Sequence, residues 1–162
     1  MQDNHRQLVS SVLDRLIEDP KRANAAAALR SDPADVEQLM VDVGRDLENL
    51  LNTRRRCVAC PPELADVTKS LVEYGIPDFT GLNMSLPSER EQTRLAIERA
   101  IRQYEPRLKN VAVTVLANVD KSDRRLRLRI TGVLRTEPVP ERVEFDSEVD
   151  PSTAAVGVST VL

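Results

Sequence analysis

The chain has 162 residues, 41% of them apolar, 30% charged and only 2% aromatic with no tryptophan, at a net charge of −3. That length suits one domain with a core of Leu, Val, Ile and Ala, and it gives little with which to stack a flat ligand. A near-balanced charge offers no basic face for a phosphate backbone, and no apolar run is long enough to span a membrane. The N-terminus lacks a charged-then-apolar leader, so a cytoplasmic location is expected.

Leu8, Val9, Val12, Leu13, Leu16 and Ile17 fall at helical spacing, and Asp19-Pro20 stops that helix. With the alanine run at 25–28, residues 1–30 read as a peripheral helical arm. Ser31-Asp32-Pro33 supplies cap candidates and a first-turn proline for a stronger helix. Val36, Leu39, Met40, Val43, Leu47, Leu50 and Leu51 form its apolar stripe, and it ends near Asn52 at the basic loop Thr53-Arg54-Arg55-Arg56. Pro61-Pro62 opens a further expected helix over about 63–74, with Leu64, Val67, Leu71 and Tyr74 in step and Gly75 as its left-handed cap.

Residues 88–104 carry the clearest helical signal, with Ser88 and Glu91 spaced as a capping box. Arg94, Glu98 and Arg102 form an i,i+4 ladder on its polar side, and Pro106 stops it. The period then changes from 3.6 to 2. Val111, Val113, Val115, Ala117 and Val119 make one strand, 120–123 a turn, and Leu126, Leu128, Ile130 and Leu134 the next. A third strand at 142–149 points Val143, Phe145 and Val149 inward, and sets Glu144, Asp146 and Glu148 beside Arg127 and Arg129. Helices followed by strands predict an α+β domain over 31–150, with N-terminal helices packed on a C-terminal antiparallel sheet of about three strands. The tail 151–162, small and apolar, reads as a short edge strand or a loose end.

Catalytic and metal chemistry find few materials here. His5 is the single histidine, so Ser-His and Cys-His nucleophiles are nearly excluded. Five glycines form no phosphate loop. Cys57 and Cys60 have the spacing of a redox or metal half-site, yet no second cysteine pair completes four zinc ligands. They read as loop cysteines, and no cofactor is expected. A carboxylate pair among Glu105, Asp78 and Glu73 is the remaining catalytic option, as in a lysozyme-like hydrolase of cell-wall glycan. The unusual local feature is Glu105-Pro106-Arg107, where the long helix hands over to the first strand. Its plain reading is a proline stop with charges that are solvated or paired to each other. Its sharper reading is a rigid corner that points both charges outward to engage a partner.

Several segments together resemble the TssE family of type VI secretion baseplate proteins: Asp46-Leu47-Glu48, Leu50-Leu51-Asn52-Thr53-Arg54-Arg55, Ser70-Leu71-Val72-Glu73-Tyr74-Gly75-Ile76-Pro77-Asp78-Phe79 and Glu105-Pro106-Arg107-Leu108, with Leu13-Asp14-Arg15-Leu16 near the start. The resemblance covers roughly residues 36–150. It implies a non-enzymatic wedge subunit, similar to the wedge protein of contractile phage tails, with TssF, TssG and TssK as partners around the hub and spike. It further implies that Glu105, Pro106 and Arg107 dock on the wedge core, and that the sheet offers the sheath proteins TssB and TssC a template edge. The candidate partner-binding residues are accordingly Glu105, Pro106, Arg107, Arg54, Arg55 and Asp78.

Overall fold

The computed structural model describes residues 33–57, 63–64, 66–67, 70–79, 81–117, 125–136, 139–150, 153 and 155–161. The expected arm over 1–30 and the turn at 120–123 lie outside these residues.

Helix α1 runs Pro33–Asn52. Its stripe is the expected one, with Val43, Leu47, Leu50 and Leu51 fully or almost fully enclosed. It ends where the Thr53 hydroxyl donates back to the Asn49 carbonyl at 2.7 Å, satisfying a last-turn acceptor that the helix leaves open. The helix expected over 63–74 does not form. The described residues there make turns and 3-10 geometry, including a short 3-10 helix at Leu71–Glu73 whose preceding Ser70 side chain accepts from the Val72 N–H. The reason is visible in the burial: Leu64 and Leu71 of the stripe stay exposed and leave Val67 and Tyr74 half-buried, and a short helix with so little packing is marginal in water.

Helix α2 runs Pro87–Tyr104, close to its expected span. The capping box does not form. Leu86 holds the cap position without a side-chain bond, Pro87 fills the first turn, and Glu91 pairs with Arg94 instead. The Glu89 carboxylate accepts the Asn83 N–H from the preceding loop. Thr93, Ile97, Ala100 and Ile101 turn inward.

Four strands follow: β1 Leu108–Leu116, β2 Leu126–Leu134, β3 Glu141–Val149 and β4 Val156–Val161. They pair antiparallel in the order β1-β2-β3-β4. The sheet is thus one strand wider than expected, the tail having taken the edge-strand alternative. Leu126, Leu128, Ile130 and Leu134 face the helices beside Val143, Phe145 and Val149, as the alternation requires. On the other face Arg129 meets Asp146 at 2.8 Å and Arg127 meets Glu148 at 3.3 Å, the expected cross-strand pairs. The Arg129 hydrogen bond holds the Asp146 carboxyl below the usual carboxylate range. A bulge between Lys109 and Ala112 puts Asn110 at φ 52°, which asparagine tolerates, and lets both Leu108 and Val111 turn inward. Helix α1 lies along β4 and α2 along β1, closing one core between helices and sheet.

Candidate functional site

The described segments that carry the family resemblance are far apart in the chain and meet at one corner of the fold, and Leu13–Leu16 lies outside the described residues. At the end of α1 the Asn52 side-chain amide takes both backbone groups of Val156: Nδ2 donates to the carbonyl at 2.8 Å and Oδ1 accepts the N–H at 2.9 Å. Asn52→Ala is expected to remove about 1–2 kcal/mol of stability and to release the start of β4. Hydrogen exchange at the Val156 amide checks this, and unchanged protection there would contradict it.

Beyond Asn52 the chain pairs with the loop before α2. Ile76 N–H donates to the Thr53 carbonyl and Arg55 N–H to the Ile76 carbonyl, each at 2.9 Å. This approach requires Gly75, which sits at φ 108°, where a Cβ would lie 2.5 Å from the Thr53 oxygen. Arg54 donates to the Leu51 carbonyl at 2.9 Å, and Arg55 lies 3.4 Å from the Glu73 carboxylate. Tyr74, fixed by the same turn, meets Tyr104 edge-on with ring centroids 5.1 Å apart, and the Tyr104 hydroxyl donates to the Ser70 carbonyl.

One residue further, α2 ends and the chain turns through Glu105-Pro106-Arg107. Arg107 Nε donates to Glu105 Oε1 at 2.8 Å, and its Nη2 reaches Asp46 Oδ2 on α1 at 2.6 Å. The Arg107 backbone N–H also donates to Glu105 Oε1. Burial by itself pulls the Arg107 guanidinium down, but the hydrogen bonds and charges of Glu105 and Asp46 outweigh it and hold the proton more firmly than usual. Burial, and then the charges of Asp46 and Glu105, push the nearby Tyr74 hydroxyl up. Arg107 Nη1 is buried and has no acceptor among the described residues.

Of the two readings of this corner, the structure has the charges paired to each other and not both pointing outward. Glu105 is 4% exposed and the Arg107 side chain 18%, and the two face each other and Asp46. What the corner presents to solvent is the Pro106 ring. The Arg54 and Arg55 side chains bond within the chain as described, and Asp78 is exposed, two residues beyond Ile76. Asp46, Tyr74 and Tyr104 complete the cluster without having been singled out as site residues. The only hint in the sequence was that Asp46 and Tyr74 lie within the segments that carry the resemblance and Tyr104 directly before one of them.

As a hydrolytic site the arrangement is poor. Glu105 and Glu73 each have a carboxylate oxygen against an arginine, Arg107 and Arg55, in place of the open pair of carboxyls that glycan cleavage uses. Cys57 is exposed, while Cys60 lies outside the described residues. Among the described residues no group of three or more His, Cys, Asp or Glu side chains could hold a metal, and no helix is long and apolar enough to cross a membrane.

Comparison with known proteins agrees with this layout. No curated protein matches the chain significantly. A solved structure described as the baseplate complex from the type VI secretion system shares the fold, with a TM-score of 0.50 at 19% identity over 72% of this chain and 98% of that one. The model of the family described as baseplate wedge protein gp25 matches residues 37–139, which takes in most of α1, the whole corner and the first two strands. That is well over half of the sequence, and the chain therefore belongs to the baseplate wedge protein gp25 family.

Proposed function

We propose that this chain is TssE, the wedge subunit of a type VI secretion baseplate on which the contractile sheath begins to assemble. In this reading the Pro106 corner seats on the wedge complex of TssF, TssG and TssK, and the hub and spike are contacted only through them. An edge of the sheet then offers TssB and TssC a backbone template, since strand addition gives affinity without a pocket. The work is docking and templating rather than catalysis. It takes place in the cytoplasm at a baseplate docked on the inner membrane, with neither nucleic acid nor an inserted segment of this chain.

The observation that carries the reading is the convergence of the recurring segments. Asp46, Asn52–Arg55, Tyr74–Ile76 and Tyr104–Arg107 are joined by direct bonds and ring contact into one rigid corner with a proline at its tip. Rigidity reduces the ordering cost of association, which is what a repeated assembly contact needs. Because Glu105 and Arg107 hold the fold, the exposed tip is the cleaner probe. Pro106→Glu is expected to abolish co-purification with TssF and TssG while thermal unfolding stays within a few degrees of the parent. Full recovery of the wedge complex with that variant would remove the corner from the interface.

A further inference from the structure

The two edges of the sheet are unequal. Along the middle of β1, three outward backbone groups are already taken, not by a strand but by side chains of α2. The Val111 carbonyl accepts from Arg102 at 2.8 Å and the Val113 carbonyl from Arg94 at 3.0 Å, while the Val113 N–H points at Glu98 Oε2 at 3.4 Å. Glu98 in turn holds both arginines, at 2.6 and 2.7 Å. The ladder that looks like solvated helix decoration is thus a substitute strand, and charges set over an edge keep a second chain from pairing there.

At the opposite edge only the first position is closed. Asn52 takes both backbone groups of Val156, so these point away from β3. In an antiparallel ladder the backbone groups of residues two apart face the same way, so those of Val158 and Thr160 also face outward. No hydrogen bond among the described residues engages them. The flank of α1 beside this edge is defined by Gly44, which faces Thr160 and Phe145. Helical spacing places Val41, Glu37 and Glu48 on that same flank. Val41 is 53% exposed on a helix whose other large apolar side chains are buried or partly buried, and Glu37 and Glu48 are exposed.

We propose that β4, and not β1, takes up an extended segment of a partner, and that this segment sets an apolar side chain over Val41 with basic side chains towards Glu37 and Glu48. The inference rests on the sheath-nucleating function and adds to it the edge and the chemistry of the incoming strand. Backbone groups at Val158 and Thr160 supply the pairing, Val41 supplies the apolar footing, and the two glutamates select a positively charged segment over an acidic one. With β1 closed, strands add on one side only, which gives assembly a direction.

The test uses the full chain, immobilised, with purified TssB–TssC as the probe. Thr160→Pro removes an outward N–H that β3 does not use, and proline is tolerated on an edge strand. Val41→Glu changes an exposed position and leaves the core alone. Each is expected to lower capture at least tenfold with thermal unfolding held, and Arg94→Ala combined with Arg102→Ala is expected to leave capture unchanged. Full capture by Val41→Glu, or by folded Thr160→Pro, would overturn the assignment of β4, as would loss of capture in the folded double variant. If Thr160→Pro does not fold, Val41→Glu decides. Failure of the unaltered chain to capture TssB–TssC would instead bring down the sheath-nucleating function itself.

Discussion

Arg107→Ala is expected to destabilise the domain by about 3–5 kcal/mol, a large part of what a domain of this size possesses. The substitution leaves Glu105 enclosed at 4% exposure with its charge uncompensated. It also removes the only described side-chain link from this corner to Asp46 on α1. The loss comes from the abandoned carboxylate more than from the missing attraction, and that distinction has its own test. Replacing both charges, Glu105→Leu with Arg107→Met, is expected to return stability to within about 2 kcal/mol of the parent. Asp46 keeps a partner in that variant, because Arg45 lies 3.6 Å away. Urea titration of the single and double variants measures both effects. A single variant within about 1 kcal/mol of the parent would mean that the pair is solvated rather than enclosed.

The second large effect is expected at Gly75. Gly75→Val meets two obstacles at once: a left-handed backbone that costs a branched residue about 1–2 kcal/mol, and a Cβ placed 2.5 Å from the Thr53 oxygen. The loop must move, and the two backbone bonds between Thr53–Arg55 and Ile76 go with it, each worth about 1 kcal/mol. The total is expected near 3 kcal/mol by chemical unfolding. Its local signature is rapid hydrogen exchange at the Arg55 and Ile76 amides, and retained protection at both would refute the account. Since Tyr74 is fixed by the same turn, the variant should also fail to co-purify with wedge partners even at temperatures where it remains folded.

The strands of this protein were readable because one face is buried and the other is charged. Leu126, Leu128 and Ile130 against Arg127 and Arg129 leave a single register in which every apolar side chain finds the core. Helix α1 was readable for the same reason at the other period. The stretch over 63–74 was misread because spacing reports which residues would share a face, not whether any surface awaits them. Leu71 at 79% exposure shows that none awaits the middle of that face, while Tyr74 at its end finds Tyr104. The capping box at Ser88 failed because Pro87 and the preceding loop offered another way to begin the helix. The pairing of Glu105 with Arg107 was open to local reasoning, but their enclosure was not, because the second carboxylate on Arg107 belongs to a residue 61 positions earlier. The fourth strand stayed open between two readings because the group that ties down its first residue is a lone asparagine at the end of another element.

That asparagine ties together residues 104 positions apart, so the first described helix and the last strand of the domain depend on each other. During synthesis the helix emerges long before Val156 has left the ribosome, and contacts of such high sequence separation form late and slowly. Until then the nascent chain has no finished far edge to its sheet. On the proposed sheath-starting function, a copy whose synthesis has not yet passed Val156 has no surface from which a premature filament could grow.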